Sequence, residues 1–312
     1  MTTPIHDERT TMPAFDSPGP ILTVIDLATA SIRIRAGDRT DTVVEVRPSD
    51  AHNDADVQAA RHTRIEYADG RLLVRADQTW AASGSGRGPS LDLLVESPAN
   101  WARSLLLGPG SVNVTIDVPA GSRLDAKSAA SLHCRGPLGE VAFTTSSGDI
   151  RVEEAGRLRL KTTYGDISVT RSSGHAEVTT THGAIRIGAI DGTAVVKNSH
   201  GDVSLGEVTG GLRLNNAHGD STIDRPLAGV TAKTAYGSVR IREVVSGTVV
   251  METTGGSLEL GIREGTAAWL DVSSKDGTVD VALASGDAPG QAHPTVEVRA
   301  HTAYGDIAVH RS

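Results

Sequence analysis

Aromatic side chains are scarce in this chain of 312 residues, which holds two Phe, four Tyr and three Trp. That argues against a thick globular core, where large rings usually supply much of the buried area. Cysteine is limited to Cys134, so no internal disulfide can form and no oxidising compartment is implied. Long apolar runs are missing. Stretches such as Leu105–Leu107 fall far short of the ~20 residues that span a bilayer. Basic charge is in deficit, with 30 Lys and Arg against 38 Asp and Glu and a formal net charge of −8. Nothing in that balance marks a nucleic-acid binder. The opening MTTPIHDERTTMPAFDSPGP lacks a basic segment leading into an apolar run, so it does not read as a secretory signal. The expectation is a cytoplasmic protein, with Met12 as a second plausible start.

Glycine, by contrast, is abundant, at 34 residues. No Gly-X-Y period accompanies it, which excludes collagen, and 38% hydrophobic content argues against disorder. The glycines are periodic in another way. A motif of the form TTYGDISV recurs with its glycine at Gly148, Gly165, Gly183, Gly201, Gly219, Gly237, Gly256, Gly277 and Gly305. The spacings are 17, 18, 18, 18, 18, 19, 21 and 28. A second column, Gly156, Gly174, Gly192, Gly210, Gly229, Gly247 and Gly265, falls about midway between. At ~3.3 Å per residue, each half-unit holds one short strand and one turn.

Apolar positions alternate around these glycines. Two and four residues after the first column stand pairs such as Ile167/Val169, Ile185/Ile187 and Val203/Leu205. Seven and five residues before it stand Leu158/Leu160, Ala176/Val178 and Leu212/Leu214. Period-2 alternation means strands with one face in and one face out. Position −3 is inward by parity yet polar: Thr145, Thr162, Thr180, Asn198, Asn216, Thr234, Thr253, Ser274 and Thr302. Stacked ~4.8 Å apart, such side chains can bond one another or the turn backbone. One coil cannot bury its own apolar face, so coils must stack. The fold class is therefore all-β, a single-chain parallel β-solenoid with two strands per coil of about 18 residues. Right-handed winding is favoured by the usual hand of parallel crossovers.

Residues 1–20 read as a disordered tail, 21–120 as a β-rich capping and early-coil region, and 121–312 as the regular solenoid. The early region shows strand-like runs at Ile21–Asp26, Ser31–Arg35, Thr42–Arg47, Thr63–Tyr67, Arg71–Ala76, Leu91–Glu96 and Val112–Val118. Asp54–His62 is its one short helix candidate, Ala68–Gly70 a hairpin turn and Gly84–Pro89 a flexible loop. Leu124, Ala126, Leu132 and Cys134 fit a first coil, which makes Cys134 a packing residue. Ala284–Pro294 reads as an insertion, after which Thr295–His310 closes the stack. Trp269 has outward parity, as a packing or interaction residue.

The residue before each first-column glycine forms the candidate site. It reads Ser147, Tyr164, His182, His200, His218, Tyr236, Gly255, Asp276 and Tyr304. The residue after it carries Asp149, Asp166, Asp202, Asp220 and Asp306. One reading is a linear binding edge of Tyr164, His182, His200, His218, Tyr236 and Tyr304 for a carbohydrate, polymer or divalent ion. The other is that flat residues shield the glycine while Asp favours the turn. In-line histidines with parallel rings make a poor tetrahedral metal site. The paired glycines of calcium β-rolls are missing, so no cofactor or metal is expected. No Gly-x-Ser-x-Gly, P-loop, Cys-x-x-Cys or His-Glu-x-x-His motif is present, so no catalytic residue is assigned. Outward Lys161, Lys197 and Lys233 read as a solvated face.

The segments GDISVTRSSGHAEVTT, IGAIDGTAVVKNSHGD, EGTAAWLDV and TVEVRAHTAYGDI resemble a bacterial candidate-adhesin family, domain of unknown function 4097. IRIRAGDRTDTVVEVRPSD resembles its opening segment, so the likeness covers nearly the whole chain after Met12. The resemblance implies a solenoid of β-strand repeats and transfers no catalytic residue. Its adhesin label implies a role at the cell surface as the alternative to the cytoplasm. The expected function is a non-enzymatic binding or scaffold protein for an unknown protein or polymer. A surface or envelope adhesin is one alternative, and a carbohydrate-active β-helix enzyme the less favoured one. Oligomeric state is not legible.

Overall fold

The computed structural model describes residues 12–76, 110–283 and 295–312. The expected strand Leu91–Glu96, the loop Gly84–Pro89 and the insertion Ala284–Pro294 lie outside the described residues. The chain divides into two compact units, Met1–Leu138 and Gly139–Ser312.

In the first unit, β1 (Ala14–Asp16) pairs antiparallel with β3 (Asp41–Pro48), flanking the long β2 (Leu22–Gly37) in sequence. Part of the stretch expected to be a tail is thus tied to a sheet edge. Its Ser17 hydroxyl lies 2.8 Å from that of Thr42, and both are buried. The expected strands Ile21–Asp26 and Ser31–Arg35 merge into the single β2. Helix α1 (Asp54–Arg61) begins where Asn53 Oδ1 accepts from the Ala55 N–H at 2.9 Å, with Asp54 and Asp56 in the first turn. β4 (Thr63–Ala68) and β5 (Arg71–Ala76) form the expected hairpin. Asp69 and Gly70 both take positive φ, 50° and 70°, which suits the twist of a two-residue turn.

β6 (Val112–Pro119) and β7 (Arg123–Ser147) follow. β2 runs parallel between neighbours, with β5 and β6 on one side and Arg123–Arg135 of β7 on the other. Antiparallel β3 and β4 extend this coil pair outward. Ile25, Ile32, Ile34, Leu72, Ile116, Leu124 and Leu132 fill the core, with Cys134 beside them at full burial.

The second unit holds the regular repeats. β8 (Ile150–Tyr164) spans both halves of a coil, and β9 (Ile167–Ser172) pairs with its first half. Then come β10 (Ala176–His182), β11 (Ile185–Ile190), β12 (Ala194–His200), β13 (Val203–Val208), β14 (Leu212–His218), β15 (Ser221–Pro226), β16 (Val230–Tyr236) and β17 (Val239–Val244). β18 (Gly247–Gly255), β19 (Leu258–Ile262), β20 (Ala267–Asp276), β21 (Val279–Val281), β22 (Thr295–Tyr304) and β23 (Ile307–Arg311) complete the chain. Even-numbered strands stack in parallel, one coil on the next, and so do the odd-numbered ones. Equivalent residues pair in register, such as Ala176 with Ala194 and Ala194 with Leu212. The fold is a parallel β-solenoid, as the period demands.

The polar inward column sews the turns together. Asn198 Nδ2 donates to the carbonyls of Gly183 at 3.1 Å and Gly201 at 2.8 Å. Asn216 Nδ2 repeats this one coil on, to Gly201 at 3.2 Å and Gly219 at 2.9 Å. Thr302 and Ser274 donate in the same way to Gly256 and Gly305, at 3.1 and 2.8 Å. Half-buried turn carbonyls thereby gain donors.

One expectation is overturned at the C-terminal end. Thr295–His310 does not close the stack. β22 pairs with β18 on one side and with β20 on the other, while β23 lies between β19 and β21. The last coil in sequence is inserted beneath the one that precedes it. Val296, Val298, Ala300, Ile307 and Val309 are fully buried, whereas Val279 and Val281 of the outer coil are each 39% exposed. The inner coil thus buries its apolar set, while the outer coil leaves part of its own to solvent.

Candidate functional site

Five of the six candidate residues end successive strands of one sheet: Tyr164 on β8, His182 on β10, His200 on β12, His218 on β14 and Tyr236 on β16. The in-register pairs Tyr164–His182, His182–His200, His200–His218 and His218–Tyr236 place each side chain directly beside the next. The rings stack. Centroids are 4.9 Å apart at 12° for Tyr164 and His182, and 4.8 Å at 4° for His182 and His200. They are 4.9 Å apart at 1° for His200 and His218, and 5.3 Å at 20° for His218 and Tyr236. This spacing is that of parallel strands, so the sheet dictates the stack.

The turn that follows needs glycine. Gly201 has φ +130°, and a Cβ there would sit 2.3 Å from the Gly183 carbonyl oxygen. The glycine lets each turn nest on the one before it, and this nesting holds the ring column in line.

Ring faces inside the column are taken up by neighbouring rings. What solvent meets is a row of ring edges carrying imidazole nitrogens and phenol hydroxyls. Over four rungs of ~4.8 Å that row runs roughly 19 Å. The histidine planes are nearly parallel, so their nitrogens do not converge on a tetrahedral ion. Tyr304, the sixth candidate, is not in the stack. It lies opposite Gly255, which lies opposite Tyr236.

The neighbouring Asp column has a structural task. Asp166 Oδ1 accepts from the Ala184 N–H at 2.8 Å, Asp202 Oδ1 from Asp220 at 3.0 Å and Asp220 Oδ1 from Ser238 at 2.8 Å. Each carboxylate staples its own coil to the next, which supports the turn reading over a catalytic cluster. Lys233, read as part of a solvated face, pairs with Glu252 at 2.7 Å on the outer surface. Burial pushes the Cys134 thiol far above its ordinary value, so it supplies no thiolate. Trp269 is 65% exposed on the outer coil, beside Thr248 and Glu297. Sequence reasoning missed that Tyr236 and Tyr304 flank Gly255. The weak SKDGTVDV repeat and the 28-residue spacing were its available signals.

These features define a class, the parallel β-solenoid with stapled turns and a ring-lined edge. A family model, Toastrack DUF4097, matches residues 23–310, and the chain belongs to that family. No curated protein matches the chain. Among solved structures, a candidate adhesin from Parabacteroides merdae is 14% identical with a TM-score of 0.47, covering 81% of this chain and 96% of its own. A candidate adhesin from Bacteroides fragilis is 8% identical with a TM-score of 0.30, covering 97% and 98%. A candidate cell-adhesion protein from Clostridium sporogenes is 11% identical with a TM-score of 0.20, covering 97% and 100%. Among the described residues no helix is long and apolar enough to cross a membrane.

Proposed function

We propose that this chain is a non-enzymatic binding or scaffold protein that engages a protein or polymer along its ring-lined edge. The observation that carries the reading is the unbroken stack from Tyr164 to Tyr236, with the tyrosine at each end more than half exposed. A fold needs no five-ring column on its solvent side, because exposed ring edges add little to a buried core. A rigid row of donors and acceptors at fixed spacing suits a ligand that repeats or lies extended. The Asp staples argue against catalysis, since each carboxylate already holds a backbone amide.

The test replaces His182, His200 and His218 together with Ala and repeats capture of partners from the native cell. Loss of the partners retained by the wild type is the expected result. Unchanged capture, with unaltered strand content by circular dichroism, would sink the reading. Fractionation of the same cells separates a cytoplasmic scaffold from an adhesin displayed at the surface.

A further inference from the structure

The outer coil, β20 with β21, ends the second unit in an open edge. In the regular coils, the N–H seven residues before the first-column glycine donates to the next coil. Leu158 donates to His175, Ala176 to Thr193, Ala194 to Gly211 and Leu212 to Gly229, each at 3.0 Å. The N–H two residues after the glycine does the same, from Ile185 to Asp202 and from Ile307 to Thr278, both at 2.9 Å. Leu270 and Val279 hold these two positions in the outer coil. Among the described residues, no strand lies beyond them. Their side chains are uncovered too. Val279 and Val281 are exposed, Leu270 and Val272 are half-buried, and Trp269 is 65% exposed. In the first unit, by contrast, parallel β5 and β6 have antiparallel β4 and β3 beyond them.

We propose that this open edge is a dimer interface, to which a second copy of the chain adds its own β20 antiparallel, about a two-fold axis at Ser273. The surface lies apart from the ring column and needs no ligand there.

The backbone limits the possible registers. A two-fold axis in the interface sets the strand against itself, running antiparallel. Peptide groups alternate in direction along a strand, so Ala268, Leu270, Val272 and Ser274 turn their N–H and C=O toward the open edge. Antiparallel bonding sets such residues opposite one another, so the axis falls on a residue and not between two.

The side chains choose the residue. Trp269, Asp271, Ser273 and Lys275 are exposed on the outer face of β20. An axis at Asp271 would oppose that carboxylate to its own copy. An axis at Val272 would set Asp271 against Ser273 and leave its charge unmatched. An axis at Ser273 sets Asp271 against Lys275 of the second copy, twice over, and Trp269 against Gly277, where no side chain competes for space. Asp271 is open to such a partner: its side chain is 69% exposed, with His301 3.7 Å away in the same chain. The complement of this row is the row itself, which favours a second copy over a foreign strand. An axis perpendicular to the sheet also brings β21 to the β21 edge of the second copy, so both apolar strips of the open coil gain cover.

The test is sedimentation velocity on the whole purified chain across micromolar concentrations. A reversible dimer is expected. Asp271→Lys opposes lysine to lysine and should weaken the dimer at least tenfold. Adding Lys275→Asp to that variant recreates the pair and should return the affinity to within threefold of the wild type. In a Cys134→Ala background, Ser273→Cys should form a disulfide between two chains on mild oxidation, because opposed residues at a non-hydrogen-bonded position lie ~4.5 Å apart. A monomer at every concentration, a dimer indifferent to Asp271→Lys, a charge swap without rescue, or Ser273→Cys chains that dimerise without cross-linking would each overturn the proposal.

Discussion

The backbone N–H of Thr278 donates to Asp306 Oδ1 at 2.8 Å, although Asp306 comes later in the chain. In every other staple the Asp precedes the amide it holds, as Asp220 precedes Ser238. The bond is the same and the chain order is reversed, because the last coil in sequence lies inside the one before it.

The staple should be measurable. Asp220→Ala removes the acceptor for Ser238 at the solenoid edge, where water partly replaces it. We expect a loss of about 1 kcal/mol in denaturant unfolding, within the range of a single hydrogen bond. Asp220→Asn keeps an acceptor oxygen and should lose less. Equal losses would show that the charge or the turn, and not the bond, sets the effect.

Two glycines on the same edge of the solenoid, in different coils, should answer differently to alanine. Gly201→Ala meets the Gly183 carbonyl at 2.3 Å from a backbone at φ +130°. Both the contact and the dihedral are unfavourable, and a loss above about 2 kcal/mol is expected. Gly255→Ala meets only the Tyr236 ring at 3.2 Å, a side chain that can swing away. Its cost should stay below about 1 kcal/mol. Thermal unfolding of the pair checks this, and similar losses would mean the turns do not nest as described.

Cys134 gives a pH dependence. Burial holds its thiol protonated in the folded state, far above the ordinary value of 9.0. The unfolded chain releases that proton first as pH rises, so it binds fewer protons than the native chain and stability falls. The contribution is complete below about pH 9 and declines above it. Cys134→Ala should cost about 1 kcal/mol at neutral pH through the space it leaves. It should also flatten the alkaline decline relative to the wild type. Parallel decline in both proteins would assign it to other groups.

Much of this molecule was legible because repetition made each position visible many times over. The column Thr162, Thr180, Asn198 and Asn216 announced its inward parity, and glycine carbonyls receive its bonds. The ring column was legible as far as Tyr236. The order of the last coils was not, since period alone says that coils stack and leaves their sequence open. The strand pairing shows it: Val296 and Val298 lie in the buried inner coil, and Val279 and Val281 in the exposed outer one. Tyr304 therefore moved one rung inward, to face Gly255. The long β2 escaped notice for a related reason: its neighbours β5, β6 and β7 lie far along the chain and share no repeat with it.

The inverted coil order underlies the outer coil, the Asp306 staple and the place of Tyr304 opposite Gly255, so it is the claim to test first. Glu252 pairs with His301, and His301 with Ser273, which puts Glu252 and Ser273 two rungs apart. Adjacent rungs lie ~4.8 Å apart, within reach of a disulfide. Two rungs, at roughly 9.6 Å, are beyond it. In a Cys134→Ala background, Glu252→Cys with His301→Cys should form a disulfide within one chain on mild oxidation, read by mass spectrometry, and Glu252→Cys with Ser273→Cys should not. A disulfide in the second pair and none in the first would contradict the inverted order.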